Sequence, residues 1–481
     1  MENKSLKDKT VSGISWSAIE KLFQNIFVFA SGILLARIID KENYGMMAVL
    51  AIFVALANIL QESGFTTALI RKKEIGKSDY ITVFYINISI GVSLYLLLFF
   101  AAPLISHYYE KPLLTSLSRF LFLSFLFSSF TIVQYAKLIK EINYKLIAKI
   151  NSTSVFISYI VSLVLAYNGF GVWALASQIV IAAFLKMCGL WLFSKWKPSG
   201  KFSKSTLKEL FSFSSKLLIG SILNIVMVNL PQNVIAKCYN VGIAGLYNQA
   251  YKNYNSASDI LVGTVYNVSF PILSSIEDEN KLKIAFRKFV RIKSLAIFPL
   301  YMGMALIATP FMHLLGEQWL DAAPILQLMA LSGIFLGLET ANSDLLRIKG
   351  RSGLLLKLTI MHCLLIGVAI IVPYICQLHY LYYVVGLSIA YIIRYVVSSI
   401  VSIPLINYKL KDLCKDLFPY FAISLICVAC GFLLRYVISN YTLLLITQVI
   451  VVGGLYCGIL YVSGSKIFHE AIDHIKQKTK L

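Results

Sequence analysis

The sequence predicts an all-α polytopic membrane protein of about fourteen transmembrane helices: two six-helix bundles related by a pseudo-twofold axis along the membrane normal, followed by two appended C-terminal helices. Three observations lead there. Of the 481 residues, 58% are hydrophobic and only 14% charged, where a soluble domain is roughly a quarter charged, and the mean hydropathy is +0.75. The apolar residues gather in stretches of about 20 or more, the length of helix that crosses a hydrocarbon layer of ~30 Å with its backbone hydrogen bonds satisfied internally. Basic residues, finally, alternate from one connecting loop to the next. That much apolar surface cannot be hidden in a water-facing core, so a soluble enzyme, a disordered scaffold and a β-barrel are excluded.

The elements follow from where charges or Pro/Gly clusters interrupt the apolar runs. The first span, 12–36, follows Lys4, Lys7 and Lys9 and carries Glu20 and Lys21; its length and the lack of a small-residue cleavage site make it a span and not a signal peptide. The second, 44–66, ends before Arg71, Lys72, Lys73 and Lys77, after which come 80–106 and 112–136. Four basic residues in 137–149 introduce 147–167 and 170–194, and six in 195–216 introduce 213–237 and 243–275. Six more in 281–293 lead to 294–315 and 323–346, four in 347–357 to 353–375 and 380–404, and three in 409–415 to 417–437 and 441–463, with four after 463. These segments hold 34 of the 44 Lys and Arg, and the opposite loops are short and nearly free of both. The positive-inside bias therefore puts both termini in the cytoplasm and makes the span count even. The net charge of +21 is a topology signal plus attraction to anionic membrane lipid, with no need of nucleic acid.

An internal repeat appears at an offset of 200 residues: Ala36-Arg37 precedes Gly45 as Ala236-Lys237 precedes Gly245, and Gln24 aligns with Asn224. Both copies sit where the first helix of a six-helix set turns into its second, and an even separation gives repeats of the same orientation. The expected domains are 1–200 and 201–404 for the bundles, 405–463 for the appended helices and 464–481 for a cytoplasmic tail. Of the eight cysteines, six lie in or at the end of apolar segments, and the Cys427/Cys430 CxxC inside a span is assigned to packing. His469-Glu470 with His474 misses the metalloprotease spacing by one residue, and neither a P-loop nor a paired-carboxylate loop appears. No catalytic residue, bound cofactor or metal is expected.

Charges inside spans cost ~2.5 to 3.5 kcal/mol each on insertion scales and face wet cavities or partners. Here they gather in the leading helices of each bundle. The first span has Lys21, Gln24 and Asn25 on one face, with Arg37 at its end, and the second has Glu62. The seventh carries Asn224, Asn229, Gln232, Asn233 and Lys237, and the eighth Lys252, Asn255, Ser256 and Asp259. The expectation is a polar cavity between the bundles. Its candidate substrate-binding residues are Lys21, Gln24, Asn25, Arg37, Glu62, Asn224, Lys252, Asn255 and Asp259. The competing reading is that the amides only bond across helix interfaces and that Lys252 and Asp259 form a structural pair. Arg119 and Arg394 are weaker candidates, Lys186 and Arg435 being able to snorkel, and the basic stretch 281–293 is expected on the cytoplasmic interface.

Several short segments then match a known family in order: Leu35-Ala36-Arg37 with Tyr44-Gly45, Gly169-Phe170-Gly171-Val172-Trp173, Trp196-Lys197-Pro198, Gly245-Leu246-Tyr247, Phe270-Pro271-Ile272-Leu273, and Gly316-Glu317-Gln318-Trp319 with Ala323-Pro324. Through these the chain resembles the Wzx-type, WzxC-like polysaccharide flippases of the multidrug/oligosaccharidyl-lipid/polysaccharide exporter superfamily. One departure is Ile39-Asp40-Lys41 where the family has Leu-Gly-Pro, in a loop. The resemblance implies alternating access and export of undecaprenyl-diphosphate-linked oligosaccharide from the cytoplasmic to the periplasmic face of the inner membrane. If a lysine neutralises the diphosphate, a coupling ion, H⁺ or Na⁺, bound near Glu62 or Asp259 becomes useful for resetting the carrier, and the expected partners beside membrane lipids are a polysaccharide polymerase and glycosyltransferases. The alternative is an ion-coupled small-molecule drug exporter of the same fold. An enzyme acting on lipid-linked sugars would need a larger loop than this chain has.

Overall fold

The computed structural model describes residues 6–62, 69, 76–194, 196–204, 222, 225–465, 467–470 and 473, with backbone alone for 6–15, 17–19, 22, 60–62, 259–269 and 271. Among the described residues every regular element is helical. α1 (Leu6–Ile38) passes into α2 (Lys41–Glu62) through Asp40, whose carboxylate accepts from the Asn43 N–H at 2.8 Å and caps α2. α3 (Lys77–Tyr109) ends on Glu110, which takes the left-handed conformation (φ 57°) and turns the chain.

The span expected over 112–136 is not one straight helix. It consists of α4 (Leu113–Leu121), α5 (Leu123–Ser129) and α6 (Ile132–Lys140), with a bend of 42° at the second break. The sequence explains the interruption. Ser124, Ser129 and Thr131 each turn a hydroxyl back onto a main-chain carbonyl at 2.7 Å, competing with the ladder that would hold the helix straight.

α7 (Tyr144–Tyr167) starts on Asn143, which accepts from the Leu146 N–H, and α8 (Val172–Phe193) starts on Gly171. Of the seventh expected span, 225–238 is described as helix and is α9. α10 (Val241–Ser274) is capped by Asn240, and α11 (Glu279–Leu315) by Asp278, whose carboxylate takes the Lys281 N–H at 2.7 Å. A 3₁₀ turn, Glu317–Ala322, leads into α12 (Ala323–Ile348). Then come α13 (Ser352–Ile375), α14 (Tyr380–Ser402), α15 (Leu410–Leu433) and α16 (Tyr441–Val462).

Ten helices among the described residues are long and apolar enough to cross a membrane, or eleven with the bent α4–α6 segment counted as one. The chain is a multi-span helical membrane protein. The expected spans outside that set are the first, whose apolar part is Phe23–Ile38, the seventh, only partly described, and the eighth.

The chain divides into two compact units, one ending at Gly245 and one starting at Leu246. In the first, Ile81, Val83 and Phe84 pack on Ile132, Val133 and Ala136, flanked by Trp191 and Trp196. In the second, Leu282, Phe286, Phe289 and Val290 of α11 pack against Ala341, Leu345, Ile403, Ile406 and Tyr408. Phe100, Leu104, Leu364 and Ile375 are largely exposed, as side chains facing lipid would be.

Candidate functional site

In the first unit, Lys21 and Asn25 are exposed on α1, and among the described residues the Lys21 ammonium has no hydrogen-bond or ion-pair partner. Gln24 is occupied: its amide donates to Glu20 Oε1 at 3.3 Å, and Asn151 of α7 donates to the same oxygen at 2.8 Å. Glu20 therefore ties α1 to α7, leaving Lys21 and Asn25 as the open polar positions. Arg37 is exposed and engaged. Asn224 and the side chain of Glu62 lie outside the described residues.

The repeat-equivalent glycines meet. A Cβ on Gly45 would lie 1.8 Å from the Val241 carbonyl oxygen, and a Cβ on Gly245 would lie 2.0 Å from that of Lys41. Adding 200 to one partner of each contact and subtracting it from the other exchanges the two contacts, which is the pattern of a twofold. Asp40 and Asn240, equivalent under the same offset, cap the two helices alike.

Around this corner Lys237 donates to the Tyr108 carbonyl (2.8 Å) and Glu110 (3.1 Å), at the end of α3 where carbonyls lack helical partners. Tyr109 donates to Asn233 at 2.9 Å, Gln232 to the Ala48 carbonyl at 3.2 Å, and Lys111 pairs with Glu42. Gln232, Asn233 and Lys237 are thus used in closing the corner. Arg119 lies over the Phe99 ring and donates to its carbonyl, and Lys186 lies 5.0 Å over Tyr135.

In the second unit, Lys252 is exposed on α10, and among the described residues its ammonium has no hydrogen-bond or ion-pair partner. Ser256, expected on the same face, turns its hydroxyl back onto the Lys252 carbonyl at 2.8 Å. Asn255 is half-buried and hydrogen-bonded or in contact. The Asp259 side chain lies outside the described residues.

Part of the stretch 281–293, expected on the cytoplasmic interface, is engaged within the protein. It forms the opening turns of α11. Arg287 Nε and Nη2 donate to Asp416 at 2.8 and 3.1 Å, Arg291 Nε donates to it at 2.9 Å, and the Tyr408 hydroxyl donates at 2.6 Å. Burial, reinforced by that bond to Asp416, holds the Tyr408 phenol above its ordinary range. Lys288 pairs with Glu470 at 2.7 Å, and Lys293 is buried. Lys281 and Lys283 remain, among the described residues, without an ion-pair partner.

Sequence reasoning named Arg394 and, in the basic run, Lys293, but did not bring them together with Glu339 and Asp344 in the charge cluster of α11, α12 and α14. Glu339 pairs with Arg394 at 3.2 Å, Asp344 with Arg347 at 3.0 Å, and Lys293 lies close by. The signal was present: two carboxylates stand inside the apolar span 323–346, and one arginine stands inside 380–404. Among the described residues no group of three or more His, Cys, Asp and Glu is placed to hold a metal ion, and Cys427 and Cys430 are both free thiols.

A family model described as polysaccharide biosynthesis protein matches residues 34–324, from the end of α1 to the start of α12. The chain belongs to the polysaccharide biosynthesis protein family. The match takes in the glycine corner, Lys252 and Lys293. Relatives of this polysaccharide biosynthesis chain include the lipopolysaccharide biosynthesis protein WzxC of Escherichia coli (strain K12), 27% identical over 376 residues covering 76% of each chain. The teichuronic acid biosynthesis protein TuaB of Bacillus subtilis (strain 168) is 26% identical and covers 73% of each. The succinoglycan biosynthesis transport protein ExoT of Rhizobium meliloti (strain 1021) is 27% identical over 67% of this chain and 66% of its own. Among solved structures the fold is similar to the lipid II flippase MurJ in an inward closed conformation (TM-score 0.73, 17% identity, 95% and 100% covered). It is also similar to an inward-facing MATE multidrug transporter (TM-score 0.64, 15% identity, 84% and 99% covered).

Proposed function

We propose that the chain is a flippase that moves undecaprenyl-diphosphate-linked oligosaccharide, a repeat unit of a surface polysaccharide, from the cytoplasmic to the periplasmic face of the inner membrane. The observation that carries this is the pair Lys21 and Lys252. Each is an exposed lysine with no counter-ion among the described residues, in a segment the sequence reads as a span, where an unmatched charge is costly. A diphosphate supplies the matching anion, and ammonium groups are point-charge binders of phosphate oxygens. The biosynthetic names of the relatives and the flippase fold of MurJ support the same reading.

The diphosphate carries about two negative charges, and outward movement along an inside-negative potential releases ~2.3 kcal/mol per charge per 100 mV. If lysines neutralise it, that gain shrinks, and a coupling ion becomes useful for resetting the empty carrier. The two-bundle division at 200, cytoplasmic termini and supply by glycosyltransferases with downstream polymerase complete the proposal.

Deleting the gene should make lipid-linked oligosaccharide accumulate on the cytoplasmic leaflet. Lys21→Ala and Lys252→Ala should reproduce this with the protein still in the membrane, whichever sugar is attached. A deletion strain that surfaces its polysaccharide normally, with no second flippase gene, would replace this reading with the ion-coupled drug exporter.

A further inference from the structure

α9 carries a file of polar residues on one face. Asn229, Asn233 and Lys237 stand at i, i+4 and i+8, about 12 Å of helix, and the file ends three residues before Asn240 at the glycine corner. Each amide turns an N–H back onto its own helix: Asn229 donates to the Ile225 carbonyl at 2.9 Å and Asn233 to the Asn229 carbonyl at 3.0 Å. That leaves the two side-chain oxygens as acceptors, and both are taken. Asn229 accepts from Gln232 at 3.0 Å and Asn233 from the Tyr109 hydroxyl at 2.9 Å. Gln232 also donates to the Ala48 carbonyl of α2 at 3.2 Å, and the Lys237 ammonium donates to the Tyr108 carbonyl and to Glu110 at 2.8 and 3.1 Å. The whole file is thus tied, directly or through Gln232, to α2 and to the end of α3.

The repeat shows that closing the corner does not call for this chemistry. Subtracting 200 puts Phe29, Gly32, Ile33 and Arg37 at the places of Asn229, Gln232, Asn233 and Lys237. A cation is kept in both copies, and the glycine contact is the same from either side, but the amides belong to the second copy alone. The bias continues one helix further on, where Lys252, Asn255 and Ser256 of α10 correspond to Ile52, Ala55 and Leu56 of α2. The amides therefore meet a need that the backbone contact does not create.

That need arises when the corner opens. If α9 parts from α3, Tyr109 and Glu110 go with α3, and an amide oxygen and an ammonium lose their partners in the outer part of a span. Unmatched polar groups there are costly, so the open state requires water or a ligand in place of the lost partners. Pro231, set between the two amides, withholds one N–H from the helix ladder and weakens α9 at the level where it must bend. A ligand that takes over these atoms binds only the open corner, because the closed corner already occupies them, and it draws the equilibrium toward opening. The groups themselves set its chemistry. An ammonium suits phosphate oxygens, and two amide oxygens about 6 Å apart along the helix axis accept from hydroxyls, which a sugar ring carries in a row.

We propose that Asn229, Asn233 and Lys237 form the outward-facing binding site for the head of the lipid-linked substrate, with Lys237 on the diphosphate and the two amide oxygens on hydroxyls of the first sugar. In the closed corner Tyr109 and Glu110 fill this site, the phenol in the place of a sugar hydroxyl and the carboxylate in the place of a phosphate. The proposal rests on the flippase reading for the identity of the ligand.

The test cuts each closing bond from either end. The full chain is placed in lipid nanodiscs, and equilibrium binding of undecaprenyl diphosphate carrying one glucose is measured. Glu110→Gln and Tyr109→Phe loosen the corner and leave the site whole, so both should tighten binding, by up to about fivefold for the exposed ion pair and up to about tenfold for the hydroxyl. Lys237→Met and Asn233→Leu loosen the same two bonds but remove a ligand contact, so both should weaken binding, by about tenfold or more for the ammonium. Undecaprenyl diphosphate without the sugar should keep the Lys237 effect and lose the weakening by Asn233→Leu. Lys237→Gln and Asn233→Ala carry the same comparison where the first pair fails to insert. Residues that only seal the corner give the same sign from both ends, so equal signs, or a wild type that does not bind the glucosyl probe, overturn the proposal. Opposite signs with a deletion strain that surfaces its polysaccharide normally keep the anion site and remove the flippase reading; equal signs with oligosaccharide accumulating in the deletion strain do the reverse.

Discussion

Replacing Gly245 with alanine puts a methyl carbon 2.0 Å from the Lys41 carbonyl oxygen and 3.0 Å from the Gly45 nitrogen, both of them backbone atoms. No side chain can rotate out of the way. Restoring ordinary contact near 3.4 Å requires the two helix starts to separate by about 1.4 Å. Overpacking of this kind costs about 1–3 kcal/mol. The cost falls on the state in which the corner is closed and is absent once it opens, so the open population should rise by about 5- to 150-fold. Cys238, half-buried beside Lys237, is a native reporter. With the other cysteines replaced, the rate at which a water-soluble maleimide labels Cys238 should rise by that factor in Gly245→Ala. Gly45→Ala should do the same, and the double variant should add little, since both methyls force one contact apart. Labelling of Gly245→Ala at the wild-type rate, in protein that remains folded in the membrane, would refute the reasoning and leave the corner a passive packing point.

Other outcomes follow from the same geometry. Lys237→Met removes the bonds to Tyr108 and Glu110, but the ammonium and its acid are exposed, so the same maleimide assay should accelerate less than about fivefold. Asp416→Ala strands two arginines and the Tyr408 hydroxyl; because the guanidiniums are about a third or more exposed, the loss of stability should be about 1–3 kcal/mol, read as a lower melting temperature. Tyr408 keeps its proton in the folded chain above the ordinary value of 10.0. Its contribution is therefore full below pH 10 and fades as pH rises further, and Tyr408→Phe should melt with a shallower alkaline decline than the wild type. Glu470→Gln, which breaks an exposed pair with Lys288, should shift the melting temperature by no more than a degree or two.

Much of the fold was legible because a membrane span writes itself as an uninterrupted apolar run, and the basic loops mark its ends. The bend within 112–136 was not legible, because hydropathy is blind to serine and threonine hydroxyls that rob the helix ladder. The partner of Arg287 and Arg291 in the 281–293 stretch was not legible, because charge alone does not say whether one waits elsewhere; Asp416 lies more than a hundred residues away. Lys21 and Lys252 were visible as charges out of place. Lys293 was hidden by its position in a basic run, where it looked like one more cytoplasmic lysine, although the acids that surround it stood openly inside an apolar span.

The Asp416 junction also sets an order in time. Its arginine partners precede it by 129 and 125 residues, so at ~5–20 residues per second they are synthesised about 6–25 s before the carboxylate that will hold them. For that interval two guanidiniums at the start of α11 have only lipid phosphates and water to satisfy them, which keeps the end of the nascent helix anchored at the bilayer surface. Arrival of α15 then exchanges those lipid contacts for a single carboxylate. The last helical pair is thus the closing piece of the second unit's assembly, and a ribosome that stalls before residue 416 leaves behind a chain that is inserted but unlatched.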